Sequence, residues 1–314
     1  MGSVSGNSVT IFQGIQNKLG TNAKLLYAKG CEINDSSQAG FAEAIDVAKQ
    51  ADVVIMNVGE ASDWSGEAKS RSNLHLPGMQ EELIKAVYAT GKPLVVLINA
   101  GRPLIFNWTA DHVPAILYTW WLGTEAGDAI ADVLFGDYNP SAKLPISFPR
   151  TEGQIPIYYD HFKTGRPATS DSDRFYRSAY IDLSIYPKFP FGYGLSYTNF
   201  NYSDIVLSSS TMKANQPIKA TVTVTNTGNY DGKETVQLYI QDLVGSVVRP
   251  VKELKGFQQV FLKKGESKQV SFTIDVDMLR FYNSELKYMY EPGDFKVYIG
   301  GNSQDVKEVG FTMQ

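Results

Sequence analysis

The stretch DVVIMNVGEASDWSGEAKSRSNLHLPGMQ, residues 52–80, joins a short apolar run to a long polar loop and then to the start of a helix. Residues 52–58 are apolar and rich in β-branched side chains, the pattern of a strand buried on both faces. Pro77 marks the expected first helical turn, which Glu81, Glu82, Leu83, Ala86 and Val87 continue. Glu60, Asp63 and Glu67 therefore fall beyond the carboxyl end of a parallel strand, where open α/β sheets keep their ligand crevice. A solvated acidic loop would use the same residue types, and chemistry alone leaves both readings open.

Working outward, residues 8–148 alternate helix-like and strand-like segments, the mark of βα units around a mostly parallel sheet. Helices are expected over 9–19, 37–50, 77–90 and 125–134, the last stopped by Gly136. Strands are expected over 24–27, 52–58, 93–99, 115–118 and 144–148. Residues 150–200 are rich in Pro, Gly and Tyr without a sustained period. They read as an ordered connector strapped down by Phe175, Tyr176, Tyr180, Tyr186, Phe189 and Tyr193. From residue 204 the pattern changes to strict alternation around turn signals, giving about seven strands, the count of an immunoglobulin-like sandwich.

Bulk composition narrows the function. The 314 residues suggest two domains, each large enough for its own core. Twenty-nine Lys and Arg against 33 Asp and Glu give a net charge of −4, so neither nucleic acid nor an anionic membrane is an expected partner. Cys31 is the single cysteine, which excludes an intrachain disulfide and a thiolate metal cluster. His75, His112 and His161 are scattered, so no metal is expected. No apolar run reaches membrane-spanning length, and the opening GSVSGNSV has no signal-peptide pattern. The sequons at Asn34, Asn107 and Asn201 matter only in a eukaryotic secretory setting. No Gly-rich phosphate loop follows any strand, which argues against nucleotide binding.

The loop at 59–80, with GTEAGDAIADVLFGDYNPSAKLPISFP (123–149), PFGYGLSYTNF (190–200) and ELKGFQQVFLKKGES (253–267), resembles the C-terminal half of glycoside hydrolase family 3 enzymes. The likeness covers essentially the whole chain and is strongest to the bacterial periplasmic β-glucosidases. It implies a doubly wound, mostly parallel α/β sandwich over 1–149, the connector over 150–200, and a fibronectin type III-like β-sandwich over 201–314. Against the family pattern, the strand that usually opens the α/β domain is not represented here. An open strand edge leaves room for self-association into a homo-oligomer. The (β/α)-barrel that carries the family's nucleophile is likewise outside these residues.

The resemblance also implies roles. Through the pattern GE(x6)E-A-x-S-R, Glu67 matches the general acid/base, with a working pKa expected near about 6 to 7. Ser62-Asp63-Trp64 mimics the triplet that holds the nucleophile in the family, but lies in the wrong loop. Asp63 is expected to tune Glu67 or face solvent, and Trp64 to stack on a sugar. Glu60 is expected to support the loop, and Arg71 either to pair with a loop carboxylate or to serve the helix entry. The implied activity is that of a retaining exo-β-glucosidase, acting on a β-glucoside or oligosaccharide, without cofactor, and periplasmic or secreted. A β-xylosidase is the nearest rival, and a non-catalytic carbohydrate-binding module is the reading from another class. The chain alone is expected to be inactive.

Overall fold

A computed structural model describes residues 8–21 and 23–314; the polar opening, residues 1–7, lies outside them. The chain divides into two compact units, Met1–Tyr138 with Pro149–Ile155, and Asn139–Phe148 with Pro156–Gln314.

The first unit runs α1 (Ile11–Leu19), α2 (Phe41–Gln50), β1 (Val54–Gly59), α3 (Gln80–Tyr88), β2 (Leu94–Asn99), α4 (Asn107–His112), β3 (Ala115–Tyr118) and α5 (Ala126–Leu134). Its sheet has the order β1-β2-β3, all parallel, with Val54 opposite Leu94 and Val95 opposite Ala115. The central strand LVVLIN is apolar on both faces because helices must cover both, and Val96, Leu97 and Ile98 have no exposure. Right-handed crossovers between strands in this sequential order place α3 and α4 on one face. Helix α3 turns Leu83, Ile84 and Val87 inward, positions that share one side of a 3.6-residue period. Helices α1 and α5 form a separate pair. They meet at Gly14 and Gly127, where a Cβ on either residue would collide with the opposing backbone.

Several details depart from expectation, among them helix α4, which no expected helix covers, and the start of α2 at Phe41 instead of residue 37. Residues 24–27 form no strand, and residues 144–148 do not join the parallel sheet. The latter belong to the second unit, with Leu144 N–H donating to Tyr193 O (2.7 Å) and Phe148 N–H to Phe189 O (2.8 Å). Helix α3 begins at Gln80, not at Pro77, because the chain just before is engaged in an extended bridge: Ile105 N–H donates to Leu74 O, and His75 pairs with Ile105.

The second unit is a sandwich. Its strands are β4 (Phe200–Tyr202), β5 (Val206–Leu207), β6 (Thr211–Met212), β7 (Ile218–Asn226), β8 (Gly232–Asp242), β9 (Glu253–Leu262), β10 (Ser267–Ile274), β11 (Phe281–Tyr282), β12 (Tyr288–Met289), β13 (Gly293–Gly300) and β14 (Val306–Met313). One sheet has the order β10-β7-β4, with β5 also on β7; the other has the order β6-β14-β13-β8-β9. Alternation sets the core: Ile218, Ala220, Val222 and Val224 of β7 face inward, as do Val236, Leu238 and Ile240 of β8. The outer face carries hydroxyl pairs such as Thr221 with Ser271 and Thr225 with Ser267, each at 2.8 Å.

In the connector Phe189 packs on Phe148 and Tyr193, as expected of a strap. Phe175 and Tyr176 do not: they stand 83% and 74% exposed. That segment is held instead by polar contacts. Arg174 donates to Ile181 O, the Asp171 carboxylate accepts from Ile185 N–H, and the Asp173 carboxylate accepts from Thr169.

Candidate active-site loop

The site is built at the carboxyl ends of β1, β2 and β3. Gly59 closes β1 at φ +139°, and a Cβ there would run into Asn99 O, so the strand can turn into the loop only with glycine at this place. Gln80, at the head of α3, fixes the turn from the other side. Its side-chain oxygen accepts from Gly59 N–H (2.7 Å), and its amide donates to Gly59 O (2.8 Å) and Ile33 O (2.9 Å). The strand ends also carry a polar ladder, in which Thr119 Oγ1 donates to Asn99 Oδ1 (2.5 Å) and Asn99 donates to Asn57.

Glu60 follows directly and its side chain is fully buried. A buried carboxylate needs compensation, and two arginines supply it. Arg71 Nη1 donates to Glu60 Oε1, and Arg102 Nε lies 3.1 and 3.2 Å from the two carboxylate oxygens. Both guanidinium groups then reach further. Arg102 Nη2 donates to the carbonyls of Trp64 and Lys69, and Arg71 Nη2 to that of His75. The Arg71 guanidinium also lies 5.1 Å from the centre of the Trp64 ring. One buried carboxylate thereby clamps both limbs of the loop.

Neighbouring loops complete the clamp. Trp121, beyond β3, donates from its indole to Ser65 Oγ (2.9 Å). Tyr118 donates to Arg102 O and accepts from Leu104 N–H (3.2 Å). Burial pushes the Tyr118 phenol far above its ordinary value, so it serves only as a neutral hydrogen-bonding group. Glu152 accepts from Leu74 N–H (2.9 Å), a bond that holds its carboxyl below the usual range.

Ser62, Asp63 and Trp64 form a short 3-10 turn, with Asp63 exposed and Trp64 half-buried. Glu67 sits at the exposed tip between Gly66 and Ala68, both at positive φ, and has no hydrogen-bond or ion-pair partner among the described residues. The carboxylates thus divide into an anchored Glu60, a solvent-facing Asp63 and an unengaged Glu67. The structure brings Glu60, Trp64 and Arg71 together and leaves Asp63 and Glu67 free. Arg102, Tyr118 and Trp121 were not singled out by the sequence reading, although all three lie at or just after the carboxyl end of a parallel strand, a position that flags such residues.

A loop that presents two unengaged carboxyl groups, Asp63 and Glu67, beyond the strand ends of an open α/β sheet, its base tied by a buried arginine–carboxylate cluster, has the donor set from which a two-carboxylate hydrolase could draw one member. The chain belongs to glycosyl hydrolase family 3. Residues 1–197 match the family's C-terminal domain, and residues 234–303 match a fibronectin type III-like domain. It is 50% identical over 99% of its length to a periplasmic beta-glucosidase of Salmonella typhimurium, and 43% identical over 98% to a beta-xylosidase of Formosa agariphila. A crystal structure of beta-glucosidase from Listeria innocua in complex with gluconolactone superposes with a TM-score of 0.90 at 37% identity, covering 98% of this chain. Another of the same enzyme, in complex with glucose, gives 0.85 at 40% identity over 90%. The chain spans 43% and 42% of the lengths of the two curated relatives, and 42% and 39% of the two crystallised chains.

Proposed function

We propose that this chain is the C-terminal portion of a retaining exo-β-glucosidase and that Glu67 is its general acid/base. The observation that carries the reading is the contrast between Glu60, locked by Arg71 and Arg102, and Glu67, unengaged on the same loop. An acid/base catalyst must lose and regain a proton each cycle. The Glu60 oxygens are committed to two guanidinium groups, whereas Glu67, at the exposed tip without a partner among the described residues, is free to engage a substrate oxygen.

In the first step Glu67 gives its proton to the glycosidic oxygen as that bond breaks. A carboxylate from a segment outside these 314 residues attacks the anomeric carbon and forms a glycosyl ester. In the second step the Glu67 carboxylate takes a proton from water, and the resulting oxygen nucleophile displaces the ester. Trp64 offers an aromatic face to a sugar ring, Asp63 tunes the charge around Glu67, and Arg71 holds Trp64 in place while lining the subsite. Export to the periplasm fits the name of the Salmonella relative. The Formosa relative favours a second reading, β-xylosidase, with the same two-step chemistry.

The test uses a polypeptide that carries this chain behind a nucleophile-bearing domain. Glu67→Ala should lower turnover of poor-leaving-group substrates by about two to four orders of magnitude. Activated aryl glucosides should suffer less in the first step, and added azide should restore rate and yield a β-glucosyl azide. Rescue of Glu60→Ala and not of Glu67→Ala would move the assignment to Glu60. Comparing aryl β-glucoside with aryl β-xyloside decides between the two sugar readings.

A further inference from the structure

Strands β11 and β12 form a small hairpin on the sandwich, with Phe281 opposite Met289 and Tyr282 opposite Tyr288. Alternation sends Phe281 inward, where it is 4% exposed and covered by the Arg249 guanidinium at 4.3 Å. The same alternation sends Tyr282 and Tyr288 outward on one face, 64% and 53% exposed. Their ring centres lie 5.0 Å apart with planes inclined by 40°. Neither phenol hydroxyl is hydrogen-bonded among the described residues.

Two strands of two residues are too short to be stable alone, and polar contacts make this hairpin rigid. Asn283 Oδ1 accepts from the N–H groups of Glu285 and Lys287, each at 3.0 Å, and Asn283 N–H donates to Lys287 O. Arg280 ties the base, donating to Asp277 (2.7 Å) and to Tyr288 O (3.4 Å), with its guanidinium 6.0 Å from the Tyr288 ring centre. The charges beside the rings are neutralised locally, Arg280 by Asp277 and Lys287 by Glu285. The result is a preorganised pair of exposed aromatic faces with no net field to attract an ion.

We propose that Tyr282 and Tyr288 form a binding platform for a β-linked glucan chain. The equatorial substituents of a β-glucose ring leave C–H bonds on its two faces, and these bonds meet the electron-rich face of a tyrosine. At 5.0 Å and 40° the two rings pack on each other and together present one aromatic patch, on which a glucose ring lies by its C–H face. The free phenols can bond to sugar hydroxyls, and local charge neutrality fits a neutral polymer over a polyanion. The choice of a β-glucan, though not of the platform, rests on the β-glucosidase reading. A platform here would hold polymer without itself cleaving it.

The test is affinity electrophoresis of the 314-residue chain in native gels containing barley β-glucan, xylan, dextran or polygalacturonate. The chain should be retarded by β-glucan, equally at low and high salt. Tyr282→Ala and Tyr288→Ala should each weaken binding by roughly tenfold. The double Tyr→Phe variant keeps both faces and the cross-strand pair, so it should fold and remain retarded. No retardation of the parent chain, retardation by xylan or polygalacturonate but not by β-glucan, or full retardation of a folded double alanine variant overturns the proposal. So does a concentration-dependent dimer that the tyrosine substitutions dissolve, since the rings would then cover a second copy. No arm measures turnover, so failure here is distinct from failure of the glucosidase assignment.

Discussion

Replacing Glu60 by alanine is the most informative perturbation of the loop. The change leaves the Arg71 and Arg102 guanidinium groups, each with 17% side-chain exposure, without their shared counter-charge. Breaking a buried ion pair by removing one partner costs about 3–5 kcal/mol. The residual exposure of both arginines places this case toward the lower end. For a unit of this length each kcal/mol moves the melting temperature by about 2–4 °C, so Glu60→Ala should melt roughly 6–12 °C lower. The assay is selective, because all four tryptophans, Trp64, Trp108, Trp120 and Trp121, lie in the first unit. Tryptophan fluorescence should therefore show the shift, while a far-ultraviolet signal from the sandwich should not. Glu67→Ala touches an exposed side chain and should stay within about 0.5 kcal/mol of the parent. Equal destabilisation by both variants, or none by Glu60→Ala, would refute the division into an anchor and a reagent.

Other outcomes follow from neighbouring contacts. On the proposed assignment of Glu67 as acid/base with the nucleophile outside these residues, the 314-residue chain alone should not hydrolyse p-nitrophenyl β-glucoside; turnover abolished by Asp63→Asn would make Asp63 the nucleophile instead. Gly127→Val should force α1 away from α5 and lower the fluorescence-detected melting temperature, whereas Gly123→Ala, with open space around it and no positive φ, should do so far less. The carboxyl of Glu152 is held below its ordinary range first by Leu74 N–H, so its stabilising contribution is present above the unfolded glutamate pKa and is lost as pH falls through the lower folded value. Melting curves of Glu152→Gln and parent should accordingly converge as pH falls through that window. Trp121→Phe, which removes the bond to Ser65, should raise KM more than it lowers kcat in an active enzyme; an unchanged KM would show that this bond does not position the loop.

The parts of the fold written in periodicity were legible in the sequence. The apolar run of β2 and the strict alternation of β7 and β10 carry their burial on their faces, whereas the run at 52–58, which forms β1 at the sheet edge, is not buried on both faces as expected, with Val53 and Asn57 exposed. What failed was set by partners far along the chain. Residues 144–148 have strand-like composition, yet their backbone bonds go to Tyr193 and Phe189, which no local pattern announces. Phe175 and Tyr176 look like straps because aromatic residues usually bury, but the Asp171, Asp173 and Arg174 contacts around them hold the segment without that burial. At the loop, residue chemistry alone left Glu60, Asp63 and Glu67 undivided, and only the family resemblance gave Glu67 the acid/base role and Glu60 a supporting one. What no local pattern announced was the anchor of Glu60: Arg102 lies 42 residues beyond it and is brought to it by the parallel pairing of β1 with β2.

The double arginine clamp has a consequence for how this loop can be altered. Arg102 grips the loop through main-chain carbonyls of Trp64 and Lys69, and those oxygens survive any side-chain replacement. The tip is thus an exchangeable cassette on a fixed mount: Ser62, Asp63 and Trp64 can be varied as a library while Glu60, Arg71, Arg102 and Trp121 stay constant. Members of such a library should keep the melting temperature nearly unchanged, because the residues being varied are not those that hold the loop.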